Sequence, residues 1–122
     1  MTISVGTDIE SVQRFKLLIE SKQNLLKKFF FEKEYIYAIN KVNPEQSFAG
    51  IWCAKEAVVK SFDECQVLNI KNIEIICRKN CAPKVSIKNI SMKPYNYNLS
   101  LSISHTKEFA TAVAILQVNN EK

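Results

Sequence analysis

Two carboxylates, an ammonium and an imidazole in this chain have the types and the placement to act on a phosphate ester. Asp8 lies near the N-terminus behind Gly6, one of only 2 glycines. Glu56 and Lys60 stand one helical turn apart in mid-chain, and His105 closes an alternating run, Leu99-Ser100-Leu101-Ser102-Ile103-Ser104. Carboxylates from separate elements that converge with a lysine make a reasonable site for Mg²⁺ and phosphate, because magnesium takes one or two carboxylates and completes its shell with water and phosphate oxygens. Taken singly, each residue also has a plainer explanation. Glu56 and Lys60 fit an ordinary surface pair worth about 0.2–0.5 kcal/mol. Asp8 equally fits a cap on the helix that follows, Glu10 a first-turn acid favoured by the helix dipole, and His105 a turn or core histidine.

The element that must hold Glu56 and Lys60 has the best-marked start in the chain. Asn43 is the N-cap, Pro44 takes the first helical position and Gln46 completes a capping box. The helix runs to about Phe62 and projects Trp52, Glu56 and Lys60 from one stripe, with Lys55 about 100° round from Glu56 in a supporting role. Asp8 needs a strand: residues 3–9 alternate loosely and run through Gly6 into a turn, leaving Asp8 at a strand end, where scaffolds usually place reactive groups. Ser11 then caps a helix with Val12, Phe15, Leu18 and Ile19 on its apolar face and Arg14, Lys16 and Lys22 among its charges, with Lys27 and Lys28 just beyond. Phe29-Phe30-Phe31 reads as a buried aromatic joint leading into a short helix that fades near Asn40.

Past Asp63-Glu64 the pattern changes to strands. Residues 73–78 and 84–87 flank the turn-bearing Lys79-Asn80-Cys81-Ala82-Pro83 and suggest a hairpin. The stretch Ser91-Met92-Lys93-Pro94-Tyr95-Asn96 is polar and loop-like. The alternating strand ends at His105-Thr106, and residues 110–118 form a last strand antiparallel to it. A strand, then helices, then a run of strands indicates an α+β fold with helices packed on one face of a mostly antiparallel sheet, residues 1–122 forming a single domain.

With 122 residues, 47% of them hydrophobic and 24% charged, the chain has the size and composition of one soluble globular domain. Its apolar runs fall well short of the ~20 residues that cross a bilayer, and its start lacks the basic head and long apolar middle of a signal peptide, so no membrane role and a cytoplasmic location are expected. A net charge of +5 favours an acidic partner. Nucleic acid is argued against by the lack of a Gly-rich phosphate loop, an interleaved aromatic signature or zinc-finger spacing. Cys53, Cys65, Cys77 and Cys81 read as reduced, packed thiols: only Cys77 with Cys81 approaches zinc-ligand spacing, and no second pair exists.

Together, Gly6-Thr7-Asp8-Ile9-Glu10, the Trp52-x-x-Lys55-Glu56-Ala57-x-x-Lys60 run and Ser102-Ile103-Ser104-His105-Thr106 resemble the 4'-phosphopantetheinyl transferases, most closely the short, single-domain holo-acyl-carrier-protein synthase type. The resemblance covers essentially the whole chain. It implies Mg²⁺-dependent transfer of the 4'-phosphopantetheine arm of coenzyme A to a serine of an apo acyl carrier protein, releasing adenosine 3',5'-bisphosphate and serving fatty acid synthesis. By matching motif positions, Asp8, Glu56 and Lys60 are the catalytic set. Asp8 and Glu56 hold the metal, with Glu10 a third candidate ligand by likeness to the longer, surfactin-synthetase type. Lys60, His105 and Ser104 contact coenzyme A phosphates, and proton removal from the carrier serine falls to Glu56 or to a water on the metal.

The resemblance further implies a homotrimer with active sites between subunits, and a first helix whose Arg14 docks the acidic carrier protein. The chain departs from the family where Ser61-Phe62-Asp63-Glu64-Cys65 replaces a Gly-rich turn, where Cys81-Ala82-Pro83 lacks a glycine, and where Ile51 replaces an arginine. These positions help hold the nucleotide. The competing expectation is an impaired homologue acting as a carrier-protein-binding or nucleic-acid-binding module; retention of Asp8, Glu56 and Lys60 together speaks for the enzyme.

Overall fold

The computed structural model describes residues 1–92 and 96–119. In chain order the elements are β1 (Thr2–Ser11), α1 (Val12–Ser21), α2 (Gln23–Phe29), α3 (Glu32–Ile39), α4 (Pro44–Ser61), β2 (Ile73–Ile76), β3 (Lys84–Ile87), β4 (Asn96–His105) and β5 (Phe109–Asn119), with a 3-10 turn at Ile70–Asn72. Strand β5 is the centre of an antiparallel sheet ordered β1-β5-β4, and β2 with β3 forms a separate hairpin. This is the expected α+β architecture.

The sheet's two faces differ because its strands alternate. On β5, Ala110, Ala112, Ala114, Leu116 and Val118 are buried beneath α4, while the residues between them point the other way into the open. The buried row is mostly alanine, which lets α4 come close, and Ala54, Ala57 and Cys53 on the helix are equally small and fully buried. Closest approach is at two glycines. A Cβ on Gly6 would lie 1.9 Å from the Ala57 carbonyl oxygen, and one on Gly50 would lie 2.9 Å from Cγ2 of Ile103. Helix α4 therefore crosses the sheet diagonally, resting on β4 near its N-terminal half and on β1 near its C-terminal half.

Several local expectations change. Gly6 leads into no turn: β1 stays paired with β5 as far as Ser11 opposite Phe109, so Asp8 sits inside a strand rather than at its end. Neither Asn43 nor Ser11 makes a side-chain cap bond. The first turn of α4 is closed by backbone, Gln46 N–H to the Asn43 carbonyl at 3.1 Å, so the expected capping box is not formed. The Val12 N–H is taken by the Glu108 carbonyl at 2.9 Å. Lys27 and Lys28 belong to a helix of their own, α2, and sit in its last turn where cations suit the dipole. Of the three adjacent phenylalanines only Phe30 is buried, meeting Phe48 edge-on at 5.1 Å; Phe29 and Phe31 are half-buried. In the stretch read as a loop, Lys93, Pro94 and Tyr95 lie outside the described residues, and Asn96 already opens β4.

The Gly6 contact is with helix backbone, which cannot swing aside as a side-chain tip would. Gly6→Ala should therefore destabilise the protein by about 2–3 kcal/mol or more, measured by urea unfolding. A loss below about 0.5 kcal/mol would show that α4 is not held against β1 at this point.

Candidate active site

Even-numbered residues of β1 share the face of Gly6, so Asp8 and Glu10 project towards α4. Lys60 reaches back from the last turn of α4, its Nζ 3.5 Å from Asp8 Oδ1 and donating to the Thr7 carbonyl at 2.9 Å. Asp8 Oδ2 is buried and has no hydrogen-bond partner. Glu56 shares this field. Its carboxyl is held above the ordinary glutamate range first by burial and next by the charge of Asp8, with Glu10 adding to the rise and Lys60 and Arg14 opposing it. Cys53, fully buried, donates from Sγ to the Ala110 carbonyl at 3.3 Å. Burial first, then the charge of Asp8, with Glu10 and Glu56 adding to it, push this thiol up to about 12, so it stays neutral.

The buried, unpartnered Oδ2 of Asp8, in the field of Glu56, suits a hard cation, which would satisfy that oxygen and relieve the repulsion felt by Glu56. Asp8 and Glu56, whose charges oppose each other, are the two residues that could hold it. Among the described residues no three His, Cys, Asp or Glu side chains come together as a metal cage. Glu10 is instead tied to Arg14, Oε1 to NH1 at 2.9 Å. Arg14 also lies over the rings of Phe15 and Trp52, 5.6 and 5.9 Å from their centroids. Trp52 packs against Phe15, Phe29 and Phe30 at 6.0–6.3 Å and is a packing residue bordering the site.

His105 lies elsewhere. It lines a cavity of about 190 Å³ together with Tyr37, Gln46, Ile51, Arg78, Cys81 and Pro83, among others. On an ideal helix Ser47 and Ile51 project roughly 140° away from Trp52 and Glu56, so the cavity and the carboxylates lie on opposite flanks of α4. Across the sheet, His105 pairs with Ala110, which pairs on its other side with Glu10. Ser104, the next residue along β4, points to the open face, away from that cavity. One protomer thus brings Asp8, Glu56 and Lys60 together and sets His105 and Ser104 apart from them.

Sequence reasoning missed Tyr37, Gln46 and Arg78 as cavity residues. It did single out Ile51 and the Cys81-Ala82-Pro83 turn, and Ile51, Cys81 and Pro83 meet in this one cavity wall. It also missed Glu34, the buried partner of Lys55 at 2.6 Å. All four cysteines are free thiols. No helix among the described residues is long and apolar enough to cross a membrane.

This fold, with a carboxylate pair and a lysine gathered where α4 meets β1, is that of a phosphopantetheine-transferring enzyme. Residues 4–114 match the model of the 4'-phosphopantetheinyl transferase superfamily, and the chain belongs to that family. Within it the chain is an enzyme of the holo-acyl-carrier-protein synthase type. It is 37% identical over 120 residues to the holo-[acyl-carrier-protein] synthase of Caldanaerobacter subterraneus subsp. tengcongensis, covering 94% of each chain. It is 36% identical over 118 residues to that of Chlamydia caviae, covering 93% of this chain and 96% of that one. Among solved structures, the holo-[acyl-carrier-protein] synthase of Helicobacter pylori, in complex with coenzyme A, superposes with a TM-score of 0.74 at 28% identity, covering 93% of this chain and 99% of that one. The ACPS-CoA complex of Chronobacterium ammoniagenes gives a TM-score of 0.79 at 22% identity over 98% and 100%, a likeness of fold.

The raised Glu56 carboxyl fixes a sign. Its favourable contribution to the metal-free fold is complete below the ordinary glutamate range and is lost as the pH rises through the raised value. Glu56→Gln removes that loss. In chelator at neutral pH the variant should melt above the wild type, the gap closing as the pH falls through the ordinary glutamate range. Calorimetry that finds the variant less stable at neutral pH would contradict the crowding of charge at Glu56.

Proposed function

We propose that this protein transfers the 4'-phosphopantetheine group of coenzyme A to a serine of an apo acyl carrier protein, with Mg²⁺ bound by Asp8 and Glu56, and releases adenosine 3',5'-bisphosphate. The observation that carries the reading is the buried, unpartnered Oδ2 of Asp8 in the field of Glu56, with Lys60 3.5 Å from the other oxygen. When bound, Mg²⁺ supplies charge neutralisation on the pyrophosphate of coenzyme A. Lys60 has a half-exposed ammonium free to swing from Asp8 to a phosphate oxygen, where it steadies the charge that develops on transfer. The serine hydroxyl bonds to the β-phosphorus as the bond to the bridging oxygen breaks, and its proton passes to Glu56 or to neighbouring water. Glu10 is a third candidate ligand, available only if Arg14 releases it.

The cavity on the other flank of α4 takes the nucleotide end of coenzyme A, with His105 as its phosphate contact. That one protomer keeps the cavity away from Asp8 and Glu56 favours a site shared between copies, and the likeness to the short, single-domain type makes the expected working unit a homotrimer. The sheet's open face supports this. Ile3, Val5 and Ile9 of β1 are 58–65% exposed there, and Phe109, Val113 and Ile115 of β5 continue the apolar surface. So broad an apolar face is an interface by its nature. Ser104 projects from it and would meet coenzyme A at the boundary between copies. Arg14, on the exposed side of α1, serves the acidic carrier protein as its docking cation. Residues 1–122 act as one such domain, in the cytoplasm, in fatty acid synthesis.

Incubation with coenzyme A, Mg²⁺ and an apo carrier protein should add one phosphopantetheine to the carrier, read by its mass. No addition to any of several carriers would refute the transferase reading. Asp8→Asn should lower turnover at least roughly 100-fold with the fold intact, and near-normal turnover would remove Asp8 from the metal site. Val113→Lys puts a charge in the middle of the open face and should convert a trimer to monomers in sedimentation; an unchanged trimer would place the interface elsewhere.

A further inference from the structure

The Lys55–Glu34 pair lies outside the carboxylate cluster and has no part in the chemistry above. Both side chains are 0% exposed, with Lys55 Nζ 2.6 Å from Glu34 Oε1. Glu34, in the first turn of α3, also accepts the Phe31 N–H at 2.8 Å and, through Oε2, the Ile75 N–H of β2 at 2.6 Å. Lys55 donates to the Ile73 carbonyl at 2.7 Å. Burial pushes Glu34 up and Lys55 down, each opposed by the charge of the other.

The two backbone partners belong to one strand edge. Ile73 and Ile75 flank Glu74, and in an antiparallel pair alternate residues direct their N–H and C=O groups to opposite sides. The Ile73 carbonyl and the Ile75 N–H therefore point away from β3, to the side where the hairpin has no further strand among the described residues. A neighbouring strand would offer that edge an N–H and a C=O. Here the Lys55 ammonium acts as the donor and the Glu34 carboxylate as the acceptor. The ion pair is not exchangeable for a well-packed apolar pair of similar volume, because that would leave the Ile75 N–H and the Ile73 carbonyl without partners. Its distinctive property is direction: it fixes α3, α4 and β2 in one mutual arrangement. Those elements supply the cavity walls, with Tyr37 from α3, Gln46 and Ile51 from α4, and Cys77 and Arg78 directly after β2.

We propose that the Lys55–Glu34 pair is a positioning clasp for coenzyme A: standing in for a missing strand at the edge of β2, it sets the gap between α4 and the β2–β3 turn and hence the affinity of the cavity for the nucleotide. This rests on the assignment of that cavity to coenzyme A. Lys55 and Glu34 are positioning residues and touch no substrate.

The test is Glu34→Gln in the full chain, read by hydrogen exchange at the Ile75 amide and by steady-state kinetics. Exchange at Ile75 should quicken and KM for coenzyme A should rise roughly tenfold, while kcat and KM for the carrier stay within about twofold. A merely structural residue would instead lower the active fraction, cutting kcat at unchanged KM, and that result would overturn the clasp. Glu34→Asp keeps the charge but shortens its reach. It should raise KM for coenzyme A in the same direction, and an unchanged KM in this variant overturns the proposal even if Glu34→Gln does not fold. The exchanged pair Glu34→Lys with Lys55→Glu retains the attraction but sets a donor against the Ile75 N–H and an acceptor against the Ile73 carbonyl. Recovery of wild-type KM there would show that charge alone suffices and would also overturn it. Failure of the wild type to transfer phosphopantetheine would defeat the functional reading, whereas unchanged Ile75 exchange in Glu34→Gln would defeat the clasp itself.

Discussion

The structure depends on how closely one helix can lie against one sheet. With Gly6 beneath the Ala57 carbonyl and alanines along β5, α4 comes near enough for Asp8, Cys53 and Lys60 to meet. That closeness has a cost, because carboxylates from β1 and α4 are crowded into a partly desolvated space with one oxygen left unpaired. A bound cation would relieve that crowding. Small residues that bear no reactive group thereby set where the carboxylates stand, and β1, β5 and α4 act as one unit in doing so.

Helix α4 also divides the molecule. Its C-terminal half faces the carboxylates and its N-terminal half forms one wall of the His105 cavity, with the body of the helix between them. A ligand as long as coenzyme A can use both features most directly if they come from neighbouring copies. The open, apolar face of the sheet offers the surface on which such copies would pack. The buried Lys55–Glu34 pair belongs to the same architecture, joining the helix that carries Glu56 to the hairpin that closes the cavity.

Much of this was legible in the sequence wherever the deciding forces are local. The extent of α4 followed from Asn43-Pro44 at one end and the change of pattern past Asp63-Glu64 at the other, and the observed helix is Pro44–Ser61 with Phe62 as its C-cap. The alternation of Leu99, Leu101 and Ile103 with serines gave β4, and its antiparallel partner β5 followed. What stayed hidden depends on distant partners. Asp8 was placed at a strand end because nothing near it reveals the pairing of Ser11 with Phe109 that prolongs β1. Glu34 looked like one of several charges on a short helix, since burial of an ion pair leaves no trace in periodicity. His105 was grouped with Asp8 because both close on similar-looking strand segments, whereas their separation by α4 exists only in three dimensions.

The central claim is that each working site is shared, with the carboxylates of one copy acting on coenzyme A held in the cavity of the next. Subunit mixing tests it most directly. Glu56→Gln disables the carboxylate half and His105→Ala the cavity half, and each protein alone should turn over far below the wild type. Co-assembled in equal amounts, they should regain activity, because random assortment leaves roughly one site in four with both halves intact. A mixture no more active than the better of its two parents, with mixed assembly verified by mass, would show that both halves act within one protomer and would contradict the account.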